Sequence, residues 1–178
     1  MNLWRLDCGA QTILVGGDEN LAEVFYWGAL LPESENLKSI WNITRLDYSG
    51  GVLDGVPALS ICPEVSKTFN GHPGMRIRGA SGKRLYPNFR LTNAKLSKTS
   101  LLLEYEDPEI GLTYKANFRA HKETSVFELS ASLTANTDIL VDWFAAPVLP
   151  ATQAAQKMID FSGHWCREFQ KQETDWSI

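Results

Sequence analysis

Long apolar runs are missing from this sequence. Nothing approaches the ~20 consecutive apolar residues a helix needs to span a bilayer, so a helical membrane protein is excluded. A basic surplus is missing too. The formal net charge is -4, with 17 Lys and Arg against 21 Asp and Glu. No basic stripe is available to neutralise phosphates, which argues against nucleic-acid binding. Cysteine is scarce: Cys8, Cys62 and Cys166 are an odd, widely separated set. They form neither a disulfide framework nor a metal-ligand spacing, and they read as reduced, mostly buried thiols of a cytoplasmic protein. The first residues carry no basic segment followed by an apolar one, so no secretory signal is read there. Histidine is limited to His72, His121 and His164, far apart and without Cys, Asp or Glu at ligand spacing, so neither a metal site nor a cofactor is expected. There is no phosphate loop and no Gly-x-Ser-x-Gly elbow.

What the sequence does have is strand periodicity. Over 112–121, Leu112, Tyr114, Ala116, Phe118 and Ala120 alternate with polar residues. Over 127–134, Phe127, Leu129, Ala131 and Leu133 do the same. A period of two marks half-buried antiparallel strands. Lys122-Glu123-Thr124 makes a turn between the two runs. Runs at 100–106 and 139–148 flank them, which predicts four consecutive strands in a meander or Greek key. Earlier, 4–8 and 12–15 predict a hairpin around Gly9-Ala10-Gln11, and 24–27 a third strand. Helix is expected at most around 33–41, in less than about a tenth of the chain against the usual ~30%. The stretch 151–158 reads as loop leading into a strand at 157–161, and 165–170 as the last strand. No strand–helix alternation occurs. The 178 residues therefore predict one all-β unit, a sandwich or barrel.

The chain is rich in aromatics, with 6 Trp, 5 Tyr and 8 Phe. Many lie beside Gly, Pro or polar residues, where flat rings suit sugars as well as cores. Carboxylates are the remaining chemical candidates. Asp54 sits in a Gly-rich loop, where an Asp is ordinarily a turn former. Glu168 follows Arg167 and reads as structural, pairing across strands. A glycosidase needs two carboxyls flanking the scissile bond, and no such pair can be assembled here, so no catalytic residue is assigned.

Four segments together resemble the N-terminal domain of family 36 α-galactosidases. They are Val24-Phe25-Tyr26-Trp27-Gly28-Ala29-Leu30, Leu53-Asp54-Gly55-Val56-Pro57-Ala58-Leu59, Asn70-Gly71-His72-Pro73-Gly74-Met75-Arg76, and Phe161-Ser162-Gly163-His164-Trp165-Cys166-Arg167-Glu168-Phe169-Gln170. The fourth is the most specific, and the resemblance spans nearly the whole chain. It implies an antiparallel β-supersandwich of the galactose mutarotase-like kind, incomplete at its C-terminal end, with residues 1–178 as one N-terminal domain fragment. It also implies a downstream (β/α)₈ barrel carrying two catalytic aspartates, neither of them in this chain, and a retaining mechanism. The implied partners are α-galactoside sugars, that barrel and, at full length, further copies in a homo-oligomer. Asp54 and Trp165 become the substrate-binding candidates. The family's aspartate is followed by an aromatic residue and an arginine; here Gly55-Val56 follows. Two alternatives stay open: a stand-alone carbohydrate-binding sandwich, and a mutarotase-like enzyme using a His and Glu pair such as His164 and Glu168.

Overall fold

The computed structural model describes residues 1–44, 59–151 and 155–176. Twelve strands and one α-helix are formed by these residues. They are β1 (Asn2–Cys8), β2 (Gln11–Gly17), β3 (Glu23–Ala29), α1 (Leu37–Thr44), β4 (Met75–Gly79), β5 (Arg84–Leu85), β6 (Arg90–Leu96), β7 (Ser100–Asp107), β8 (Leu112–His121), β9 (Val126–Ala135), β10 (Ile139–Phe144), β11 (Lys157–His164) and β12 (Arg167–Asp175). A single 3-10 turn lies at Val65–Lys67. The expected all-β class is what the chain adopts. No helix among the described residues is long and apolar enough to cross a membrane.

Every pairing between these strands is antiparallel, in four sheets ordered β1-β2-β3, β10-β4-β5, β6-β7-β8-β9 and β11-β12. The meander predicted from 100–134 is present as β7-β8-β9. Its fourth member is not the 139–148 run. That run becomes β10 and crosses to pair with β4, while β6 takes the outer edge beside β7. The sequence reading places a strand at 139–148 and none at 90–96, and the tertiary partner decides which sheet receives each.

The core follows from the alternation. Leu101, Leu103 and Tyr105 of β7 and Tyr114, Ala116 and Phe118 of β8 face inward, fully buried, against Leu6 and Cys8 of β1, Ile13 and Val15 of β2, and Ile77 of β4. Their solvent-side neighbours are half-buried or exposed. Fully burying one such side chain is worth roughly 1.5–3 kcal/mol. The turn between β1 and β2 fits because residue 9 is glycine: its φ is +57°, and a Cβ there would lie 1.9 Å from Ser125 Oγ in the β8–β9 turn.

Strand β2 is buried on both faces, which is why its apolar run is continuous rather than alternating. On its second face, Trp41 of α1 packs over Gly16. Asn36 caps that helix, its Oδ1 accepting from the N–H groups of Lys38 (3.0 Å) and Ser39 (3.1 Å), as helix N-caps do. Trp41 then lies over Gly16, where any side chain would collide with its ring, and meets Phe25 edge to face at 5.0 Å. The helix was expected around 33–41; it starts and ends later because the cap is Asn36 and the anchor is Trp41.

Candidate functional surface

Two surfaces stand out from this scaffold. The first is the β11–β12 hairpin, which carries the most specific of the four segments. It pairs with no other strand among the described residues. Met158, Ile159, Phe161 and Phe169 are exposed along it, Phe161 by 64% and Phe169 by 83%. Trp165 is at its tip, 89% exposed. The turn is Trp165-Cys166, so the strand expected at 165–170 begins instead at Arg167. Cys166 adopts a left-handed φ of 68°, and its N–H donates to Glu168 Oε1 at 3.0 Å. Glu168 therefore serves its own turn and does not pair across strands as expected. Cys166 is exposed, unlike buried Cys8 and Cys62, so the expectation of mostly buried thiols fails at this residue. Asp54 lies outside the described residues.

The second surface is a cleft of about 390 Å³ between the 63–74 segment and the β10-β4-β5 sheet. The third segment lines part of it. Gly74 allows that chain to press against Cys62, whose Sγ would stand 2.6 Å from a Cβ there. The Gly74 N–H donates to Pro63 O, and Gly74 O accepts from Ala145 N–H, both at 2.9 Å. From this fixed point β4 alternates Met75 and Ile77 inward with Arg76 and Arg78 outward. Arg84 of β5 stands directly opposite Arg78. On the other side of β4 the ladder shifts between Val141 and Trp143. The extra residue, Asp142, accepts from Arg78 Nε at 2.8 Å and from a terminal guanidinium nitrogen at 2.6 Å. A bulge re-aims a side chain in this way. Those two hydrogen bonds, and then the positive charges of Arg78, Arg84 and Arg76, hold the Asp142 carboxyl below its usual range.

The opposite wall carries Glu64, only 7% exposed. Its Oε1 accepts from Phe89 N–H at 2.9 Å. Close by, Asp107 Oδ2 accepts from Asn88 N–H at 2.7 Å, so two buried carboxylates clamp consecutive amides. Burial pushes the Glu64 carboxyl up to about 7, against the pull of the Phe89 N–H and the Lys67 charge. Burial, and secondarily Glu64, push the Cys62 thiol up to about 12, which makes it inert rather than nucleophilic. No group of three or more His, Cys, Asp or Glu among the described residues is placed to hold a metal ion.

Periodicity gave no sign of this cleft. Two of its three strands are only five and two residues long and are interrupted by Arg. The Asn70–Arg76 segment, which lines it, is the part that the sequence reading singles out.

Comparison with known proteins decides the affiliation. Residues 20–177 match the glycosyl hydrolase family 36 N-terminal domain. The chain belongs to that family. Among solved structures, this family 36 domain superposes on the Geobacillus stearothermophilus GH36 alpha-galactosidase AgaA A355E D548N in complex with raffinose. The TM-score is 0.77 at 15% identity, over 99% of this chain and 28% of that one. For the alpha-galactosidase from Lactobacillus brevis the TM-score is 0.70 at 17% identity, over 98% and 27%. For AgaB from G. stearothermophilus it is 0.73 at 13%, over 99% and 29%. These likenesses establish a shared fold. The chain spans little more than a quarter of each of those enzymes. No curated protein matches it by sequence.

Proposed function

We propose that this chain is the accessory β-supersandwich domain of a retaining α-galactosidase, shaping the sugar pocket and the subunit contacts of a larger cytoplasmic enzyme while the chemistry resides in a (β/α)₈ barrel. The observation that carries this reading is the family match over residues 20–177 together with its proportion, about 28% of the AgaA chain. The β11–β12 hairpin supports it. Large apolar side chains exposed together on a stalk mark an interaction surface, and a barrel or a second copy would cover Phe161 and Phe169. Trp165 at the tip is then a candidate contact for the substrate, and Asp54 a second. A glycosidase of this mechanism needs two carboxyls about 5–5.5 Å apart across the bond, and the barrel would supply both. AgaA binds raffinose and stachyose; terminal α-galactosyl residues are the corresponding substrate class here. Free thiols at Cys8, Cys62 and Cys166 fit a reducing compartment.

The test is a pair of assays with a nitrophenyl α-galactoside. The 178-residue chain should give no turnover, and a polypeptide extended by its downstream reading frame should hydrolyse the glycoside. Turnover by the highly purified short chain overturns the accessory role, and so does a downstream frame without a barrel. A stand-alone sugar-binding domain predicts instead that the short chain itself takes up raffinose in calorimetry.

A further inference from the structure

We propose that the cleft between the 63–74 segment and the β10-β4-β5 sheet binds a small organic anion, a phosphate or carboxylate carried on a body of monosaccharide size, through Arg76 and Arg84.

The charge arrangement is the first reason. Arg76, Arg78 and Arg84 point outward from adjacent strands, with Arg78 directly opposite Arg84. Like charges directly opposite one another destabilise a sheet, and here they are concentrated on a chain whose net charge is -4. Asp142 feels all three charges but hydrogen-bonds only one of them. Both its oxygens are taken by Arg78 in a two-pronged pair, while Arg76 and Arg84 form no ion pair among the described residues. Two guanidinium forks at the cleft therefore have no carboxylate bonded to them, and a fork is the group that matches a phosphate or carboxylate geometrically.

The shape is the second reason. The volume, about 390 Å³, falls in the range of small-molecule sites, roughly 300–1,000 Å³. It suits one compact molecule and not an acidic helix or strand. Phe69 and Tyr86 add aromatic surface beside the arginines, and Tyr86 is 56% exposed. Such a ring can lie against the flat face of a sugar-like body. Glu64 is the other carboxyl on the wall. With its carboxyl pushed up to about 7, it is largely uncharged in mildly acidic solution and does not cancel the arginines there. The proposal is independent of the glycoside that the larger enzyme hydrolyses, so either can fail alone.

Calorimetric titration of the 178-residue chain at pH 6 and low salt tests it. The probes are a hexose 6-phosphate, a hexuronate, inorganic phosphate and the neutral hexose. The phosphate or carboxylate sugar should saturate with Kd below ~1 mM, and each of Arg76→Gln and Arg84→Gln should weaken it about tenfold, the scale of one lost charged hydrogen-bonding pair. Whichever of the two sugar anions binds more tightly identifies the head group. Arg90→Gln, on β6, should bind as the parent does. Tyr86→Ala should weaken the sugar anions while leaving inorganic phosphate unchanged. Arg84→Lys, which keeps the charge, guards against loss of fold, and each variant's melting curve is compared with the parent's. The proposal is overturned if no sugar anion saturates below ~10 mM, if folded Arg76→Gln and Arg84→Gln bind as the parent does, or if the neutral hexose binds equally well.

Discussion

Glu64 ties the domain's stability to pH in the direction opposite to most carboxylates. In the unfolded chain a glutamate titrates near 4.5, and in the fold Glu64 is pushed up to about 7. Between these values the folded state holds a proton that the unfolded state has released. Stability therefore falls as pH rises through this window, and the whole penalty is present above it. At about 1.4 kcal/mol per pKa unit the difference caps the penalty at about 3 kcal/mol. The carboxyl lines a cleft that water enters, and screening there brings the penalty to about 2 kcal/mol. Glu64→Gln keeps the shape and the acceptor for Phe89 N–H but removes the charge. At pH 8 the variant should be more stable than the parent by about 2 kcal/mol, a rise of roughly 4–8 °C in Tm for a domain of this size. At pH 4 both forms are neutral and the difference should vanish. Urea unfolding of both proteins from pH 4 to 8 measures this directly, and subtracting one curve from the other cancels every other titrating group. The reasoning is refuted if the difference is constant across the range, or if Glu64→Gln is the less stable protein at pH 8. The second result would mean that the charged carboxylate's bond to Phe89 N–H outweighs its burial.

Three further outcomes follow from individual residues. Tyr114 is fully buried, and its hydroxyl has no hydrogen-bond partner among the described residues; an unsatisfied buried hydroxyl costs roughly 1–3 kcal/mol, so Tyr114→Phe should leave stability unchanged or raise it, and a loss above ~1 kcal/mol in denaturant unfolding contradicts this. Replacing Phe161 and Phe169 by Ser should hardly shift the Tm of the short chain while reducing its binding of an apolar dye, because both rings are exposed; a large drop in Tm would show that they pack. In the catalytically complete polypeptide, Asp54→Ala should lower kcat/KM for an α-galactoside about tenfold with little change in Tm, the signature of a lost sugar contact; unchanged kinetics with a lowered Tm would make Asp54 a turn former instead.

How far the sequence could be read depended on where each strand's information lies. Strand β8 was legible to the residue because Leu112, Tyr114, Ala116, Phe118 and Ala120 are buried against one core while their neighbours meet solvent. Burial on one face writes itself into the chain as a period of two. Strand β4 left almost no trace: only Met75 and Ile77 face the core within five residues, and Arg76 and Arg78 between them read as loop. The destination of β10 was equally hidden. Ile139, Leu140 and Val141 read as an apolar strand, yet what brings the strand to β4 is a set of long-range pairs, Ile139 with Gly79 and Phe144 with Met75. No local pattern encodes such a pairing.

The same distinction separates the two surfaces. The hairpin was visible because family resemblance resides in its side chains, and its position in the fold explains why. Residues exposed on a stalk have no core to serve, so the combination of Gly163, Trp165, Arg167, Glu168 and Phe169 reflects something beyond packing. The turn uses Cys166 and Glu168 to hold its shape, which leaves Trp165 and Phe169 unexplained by the domain alone. The cleft reverses this logic. Arg76 and Arg78 share one face of β4, and Arg84 joins them because Ile77 pairs with Leu85 and Arg78 with Arg84. Residues 65–103 carry no Asp or Glu, so the excess of positive charge is already present in the sequence, and the folded sheet gathers part of it at one cleft. A near-average composition therefore says little about where a small anion can be held.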